Sequence, residues 1–192
     1  MIKCKLLIIL ISVFYSTILL AKNKEFPAGK IVRLKGKVTV LRPHTMEAVR
    51  LKEGDFVYED SSILATKKSF VKIKLIDDSI LTIGPSSKAV VVLSKQKSGS
   101  IITLLKGTLR AKVQKNKKKK LYIKTKSAAM GVRGTEFMVI YNEQAKRTSL
   151  LTYSGNVAMK KISRNSLAVA TKNIKIQNLK NYLDNEITEV KL

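Results

Sequence analysis

Apolar and polar residues alternate with a period of two along most of the chain after residue 21. The clearest segments are Val71–Leu75, Leu109–Val113, Leu121–Thr125 and Phe137–Tyr141. Strand side chains point alternately to opposite faces, so this period indicates strands with at least one buried face. Clusters of Gly, Asp, Asn, Ser and Lys separate the segments at intervals of about ten residues. The sequence predicts an all-β fold of short antiparallel or stacked strands, in a solenoid-like or sandwich body.

The first 21 residues have the composition of a secretory signal peptide. Lys3 and Lys5 precede the apolar stretch Leu6–Leu20, and Ala21 is a small residue suited to cleavage. Leu19 stands where a small residue is preferred, so a retained anchor is the alternative, although about 15 apolar residues are short for a bilayer span. We predict export to the periplasm or cell envelope, with no membrane span after cleavage. The one cysteine, at position 4, lies within this leader, so the mature chain has no disulfide.

A short segment with two glycines lies between two of the predicted strands. Glycine at such a place predicts a positive φ or a close approach of neighbouring backbone. We expect Arg133 and Glu136 to form a local ion pair, and Phe137 to enter the core. The segment reads Gly131, Val132, Arg133, Gly134, Thr135, Glu136, Phe137.

This segment resembles the Gly-Val-Arg-Gly-Thr-x-Phe signature of the FecR domain. The chain departs from the family pattern at two positions outside this signature. Asp78 stands where the family usually has glycine, and Ser154 stands where an acidic residue is common. The resemblance implies a FecR-like β domain over 30–160. With the predicted signal peptide over 1–21, this leaves a short linker over 22–29 and a C-terminal extension over 161–192. Further similar segments follow in the family's order: Gly36–Val40, Leu51–Asp55, Asp77–Pro85, Leu104–Leu109 and Tyr153–Val157.

The resemblance implies a non-enzymatic binding or scaffolding module of the periplasm or cell envelope. Relatives of the iron-sensor type would imply signalling between an outer-membrane receptor and a sigma factor. Here the apolar stretch begins at residue 6 and little chain follows residue 160. We therefore expect binding or scaffolding. The alternatives are a sensor or regulator in a FecR-type pathway, and a structural envelope protein that holds anionic polymer on its basic face.

The charge of the chain is strongly positive, at +25. From Ser79 to Thr135 there is no acidic residue, whereas 14 positions are Lys or Arg. We expect an envelope protein or an anionic envelope polymer as the partner. Nucleic acid is not expected, because Trp is absent and Tyr122 is the one aromatic residue in this block, too few for base stacking. Candidate polyanion contacts lie in a predicted exposed hairpin loop: Lys115, Lys117, Lys118, Lys119, Lys120.

No set of residues predicts catalysis, a metal site or a cofactor. The single histidine, His44, follows Pro43 in an apparent turn, where a surface role is the usual one. The acidic pairs also lie in turn-like contexts, in which carboxylates bind backbone amides. The tail carries Leu179, Tyr182, Leu183 and Ile187 at helical spacing, which predicts a short helix or a loosely docked tail. The acidic pairs are Glu53/Asp55, Glu59/Asp60 and Asp77/Asp78.

Overall fold

A computed structural model describes residues 27–93, 99–115, 120–162 and 189–190. The predicted signal peptide, Lys117, Lys118 and Lys119, and the predicted tail helix lie outside the described residues.

The described residues form fifteen strands, and they include no helix of the length and apolar character that crossing a bilayer requires. Most of the strands are short because turn residues interrupt the apolar alternation, and the longest of those described is β9, with 14 residues. The strands are β1 (Pro27–Lys35), β2 (Val38–Leu41), β3 (Ala48–Arg50), β4 (Phe56–Tyr58), β5 (Ser61–Ala65), β6 (Phe70–Leu75), β7 (Ile80–Ile83), β8 (Ser87–Leu93), β9 (Gly99–Lys112), β10 (Lys120–Lys124), β11 (Ala128–Val132), β12 (Glu136–Asn142), β13 (Arg147–Ser154), β14 (Val157–Lys161) and β15 (Glu189–Val190).

The strands pair into two sheets that share β9. Sheet A has the order β4-β1-β6-β7-β9-β12-β13, and all its pairs are antiparallel. Sheet B has the order β3-β2-β5-β8-β9-β10-β11-β14-β15, with one parallel pair, β9 with β10. The chain passes repeatedly from one sheet to the other, so strands close in sequence often lie in different sheets.

Strand β9 changes sheets at Gly107. Before that residue β9 pairs with β8 and β10, and from Gly107 onward it pairs with β12 and then also with β7. Gly107 has a φ of 89°, a conformation that favours glycine. The neighbouring Ser87 leaves no room for a Cβ there, and its Oγ accepts a hydrogen bond from the Thr108 N–H at 2.8 Å.

One hydrophobic core takes side chains from both sheets. Ile73, Leu81 and Phe137 come from sheet A, and Ile63 and Val91 come from sheet B; all five are fully buried. Burial of such side chains contributes about 1.5–3 kcal/mol each. The two sheets therefore form a sandwich around a common core. A smaller cluster, Ile101, Tyr122 and Ala129, lies apart from that core.

The all-β prediction is confirmed, and the four clearest alternating segments lie in β6, β9, β10 and β12. The predicted hairpin at Lys115–Lys120 is wrong. The end of β9 belongs to sheet A, whereas β10 returns to sheet B and runs parallel to the first half of β9. Strand β1 begins at Pro27, within the segment 22–29 that the sequence predicts as a linker.

Candidate binding site on the outer face of sheet A

The glycine-containing signature joins β11 in sheet B to β12 in sheet A. Its Thr135 is buried, and the Thr135 hydroxyl donates to the Asn156 carbonyl at 2.9 Å and lies 3.2 Å from the Arg133 carbonyl. Phe137 is fully buried in the core. Gly155, with a φ of 82°, packs against Thr135. The signature is thus a corner between the two sheets, and Thr135 holds it against the turn after β13.

Gly134 has a φ of 62°, as its glycine identity predicts, whereas Gly131 lies within β11 at an ordinary strand φ. A Cβ on Gly134 would come within 3.1 Å of the Cβ and Cγ of Lys115. Among the predicted polyanion contacts, Lys115 is exposed, and the aliphatic part of its side chain packs against this corner. The backbone of Lys120 begins β10.

The predicted ion pair between Arg133 and Glu136 is wrong. Glu136 starts β12 and points to the outer face of sheet A, where the Arg110 Nε donates to the Glu136 Oε1 at 3.1 Å and the Arg110 Nη2 donates to the same oxygen. Lys112 Nζ lies 4.0 Å from the other Glu136 oxygen. Arg133 is exposed before the corner, and its side chain has no bond within the described residues.

The outer face of sheet A contains a groove of about 570 Å³, which we call the basic groove. Its side chains alternate with buried core residues on the same strands, so they point away from the core. Four of them are cationic, and one, Glu136, is acidic. The lining residues are Arg33, Phe70, Lys72, Ile80, Thr82, Arg110, Lys112 and Glu136.

An exposed patch of apolar residues adjoins the basic groove on β12 and β13; we call Ile140, Leu151 and Tyr153 the apolar patch. Their side chains remain 40%, 48% and 49% exposed. The Arg110 guanidinium lies 4.6 Å from the centre of the Tyr153 ring, in a cation–π contact. Arg110 therefore links the groove to the patch. β13 pairs only with β12 among the described strands, so its other edge is unpaired there.

Three of the carboxylates named from the sequence accept hydrogen bonds from backbone amides. Asp55 accepts the Lys52 N–H at 2.7 Å, and Asp77 accepts the Ser79 N–H at 3.0 Å. Glu53 accepts the Leu34 N–H at 2.8 Å. His44 is exposed in a turn with a φ of 60°. Across the described ranges, no three His, Cys, Asp or Glu side chains come together in a metal-binding arrangement.

The basic groove cannot be recognised from the sequence alone. Lys72, Arg110 and Lys112 occupy polar positions of alternating segments, which indicates that they face outward. That signal does not show that β6, β7 and β9 lie side by side, because strand order depends on pairings between distant segments.

Comparison with known proteins gives one family and one fold. A family described as "FecR protein" matches residues 61–158, which is about half of the chain. A comparison with curated proteins finds no match. Two crystal structures of a candidate anti-sigma factor from Parabacteroides distasonis share the fold, each with a TM-score of 0.50 and 11% identity over 67% of this chain. The match spans 50% of the length of that protein. The family match runs from the start of β5 into the start of β14 and includes the corner at Thr135, and the chain therefore belongs to the FecR protein family.

Proposed function

We propose that this protein is an exported, non-enzymatic regulator of the FecR type that binds an acidic envelope protein on the outer face of sheet A. The observation that carries the proposal is the apolar patch beside Arg110. Tyr and Arg are enriched at the energetic centres of protein interfaces, and the Arg110–Tyr153 contact places one of each at the surface. The four cations of the basic groove complement an acidic partner.

A regulatory role is supported by the family and by the fold. The chain belongs to the FecR family, and the structures that share its fold come from a protein described as a candidate anti-sigma factor. We transfer the general role of partner binding in signalling to this chain. Export is part of the proposal and rests on Lys3, Lys5 and the apolar stretch Leu6–Leu20.

The regulatory proposal is tested by transcript profiling of three strains. One strain lacks the gene, one carries Leu151→Ser with Tyr153→Ser, and one carries Met46→Ser with Val49→Ser. Met46 and Val49 are exposed apolar residues away from the patch, so their substitution is the matched control. We expect the deletion and the patch variant to change the same transcripts and the control to match wild type. Unchanged transcripts in the deletion strain would exclude regulation.

The partner is tested with a photo-crosslinking residue at position 151 or, as the control, at position 49. We expect an acidic envelope protein to be captured from position 151 alone, and capture to fall when Arg110 is changed to Ser. Equal capture from both positions would contradict a specific patch.

A second candidate function is favoured by the charge of +25, namely a structural protein that holds an anionic envelope polymer. Binding of this kind is electrostatic and weakens steeply with salt. Salt-sensitive co-sedimentation with purified envelope, together with unchanged transcripts in the deletion strain, would favour this function over regulation.

A further inference from the structure

We propose that the basic groove is a binding site for a small ligand that carries two phosphate groups. One phosphate would lie at Arg33 and Lys72, and the other at Arg110 and Lys112. The ligand site adjoins the apolar patch and shares Arg110 with it. A bound ligand and an acidic partner would use the same cations, so ligand binding is measured on the purified protein without a partner.

The basic groove contains a pair of like charges with no counter-charge bound to it among the described residues. Arg33 on β1 and Lys72 on β6 are directly opposite each other, an arrangement that destabilises a sheet. Neither side chain has a hydrogen bond or ion pair within the described residues. A bound anion would convert this repulsion into two favourable contacts.

The neighbouring row of the same sheet provides an internal comparison. Lys30 and Lys74 are also directly opposite each other on β1 and β6. Here the fold provides each cation with a favourable contact: Lys74 forms an ion pair with Asp78 at 2.9 Å, and the Lys30 ammonium lies 5.7 Å from the centre of the Phe56 ring, in a cation–π contact. Of these two described pairs, Arg33 and Lys72 lack contacts of this kind. We infer that a bound ligand provides their counter-charge.

The spacing of the groove side chains suits a ligand with two phosphates. Lys72, Thr82 and Arg110 occupy adjacent strands in one register row, so Lys72 and Arg110 are two strand spacings, about 10 Å, apart. The Thr82 hydroxyl lies between them as a further hydrogen-bond donor. A ligand with two phosphates can span this distance. The volume of about 570 Å³ is in the usual range for small-molecule sites.

The charge of the groove matches two phosphates better than one. Four cations less one carboxylate leave a net charge of +3. Each phosphate group carries about −1.5 to −2 at neutral pH, with three acceptor oxygens. Two phosphates therefore balance the groove, and Arg33 and Arg110 can each bind oxygen atoms in a forked manner.

Glu136 acts as an internal competitor for the ligand. Arg110 donates twice to its carboxylate, and Lys112 is within 4.0 Å of it. A phosphate at this end must share or replace that carboxylate. Removal of the Glu136 charge should therefore strengthen phosphate binding, and an equal charge change elsewhere should not.

Calorimetric titration of the purified protein with inorganic pyrophosphate at about 0.05 M salt tests the site, with thermal unfolding to confirm that each variant is folded. Arg33→Ser with Lys72→Ser should weaken binding at least about tenfold, since it removes charge-assisted hydrogen bonds. The control, Arg50→Ser with Lys67→Ser, makes the same charge change at exposed positions outside the groove. Its dissociation constant for pyrophosphate should stay within about twofold of the wild-type value, because screened charges outside the groove contribute little to binding. Equal weakening by both double variants, or no binding by wild type, would overturn the proposal.

A second pair of variants tests the role of Glu136. Glu136→Gln should tighten pyrophosphate binding severalfold, whereas Glu143→Gln, at an exposed residue paired with Lys126, should not. If Glu136→Gln binds no more tightly than Glu143→Gln, the phosphate does not lie at Arg110 and the proposal fails.

The source of the phosphates is distinguished with vesicles that contain cardiolipin, a lipid whose headgroup carries two phosphate groups. Vesicle binding that pyrophosphate displaces, and that Arg33→Ser with Lys72→Ser abolishes, would identify a lipid headgroup as the ligand. Pyrophosphate binding without vesicle binding would identify a free small molecule. Vesicle binding that pyrophosphate leaves unchanged, with no pyrophosphate bound, would mean that the face attracts membranes by charge alone, and would overturn the site.

Discussion

Ser87 occupies the space in which a side chain on Gly107 would have to lie. The Ser87 Cα would be 2.7 Å from a Cβ at position 107, and the Ser87 hydroxyl accepts the N–H of the residue that follows the glycine. Gly36 and Ser69 repeat the arrangement at the crossing from β1 to β2, where the Ser69 Oγ accepts the Lys37 N–H at 2.9 Å. At these two of the crossings between the sheets, a glycine with positive φ is thus matched to a buried serine.

Gly107→Ala should destabilise the protein by about 2–5 kcal/mol, because it adds overpacking against Ser87 to the strain of a positive φ. Gly54→Ala is the matched control. Gly54 has a φ of 90° but no atom within 4 Å of its Cβ position, so that variant should cost only about 1–2 kcal/mol of strain. Denaturant unfolding measures both. Equal losses would mean that Ser87 can move away without cost.

Gly134→Val should cost about 1–3 kcal/mol through backbone strain at its φ of 62°. Gly131→Ala should cost less, since Gly131 has an ordinary strand conformation. Thermal unfolding of the two variants compares them. A Gly134→Val protein that melts like wild type would show that the corner is not required for packing.

The local part of the fold could be predicted, because a period of two depends only on neighbouring residues. The two-residue alternation of apolar and polar side chains predicts strands β6 and β12. The conformational freedom of glycine predicts the positive φ of Gly134. Sheet membership could not be predicted in this way. Strands β9 and β10 follow each other closely, yet their parallel pairing depends on where β9 crosses between sheets at Gly107.

The candidate site was missed for the same reason. Glu136 was expected to bind Arg133, its neighbour in sequence. Its actual partner, Arg110, is 26 residues away, and it is brought close by the register of β9 against β12. Likewise, Arg33 and Lys72 come together only through the pairing of β1 with β6.

Asp78→Gly should leave stability unchanged or raise it by about 1 kcal/mol. Asp78 has a φ of 64° at a position where the FecR family usually has glycine, and glycine relieves the strain of that conformation. The Asp78 ion pair with Lys74 is largely exposed, so its loss costs little. Asp78→Ala is the control, since it loses the ion pair and keeps the strain. If urea unfolding finds the Asp78→Gly protein less stable than the Asp78→Ala protein, this explanation is contradicted.

Lys124→Met should make the protein more stable by about 1 kcal/mol at neutral pH, because it replaces a partly buried charge beside Ala129 and Thr103 with an apolar group. Burial lowers the pKa of the Lys124 ammonium below its ordinary value of 10.5. Between that lowered pKa and 10.5 the unfolded chain binds more protons, so the wild-type protein gains stability as pH rises through this range.

The Lys124→Met protein should lack this pH-dependent gain in the free energy of unfolding. The difference in stability between it and wild type should therefore shrink as pH rises toward 10.5. Urea unfolding at several alkaline pH values measures the difference, and Lys37→Met, at an exposed lysine, is the control. A constant advantage across this range would mean that the Lys124 pKa is not lowered.

Because β9 is a member of both sheets, neither sheet can separate or unfold while the other keeps all its strand pairs. Pulling β9 out would break its pairing with β7, β8, β10 and β12 together. The two layers should therefore unfold as one cooperative unit, and hydrogen exchange at the amides of β9 should report the global free energy of unfolding rather than a local opening.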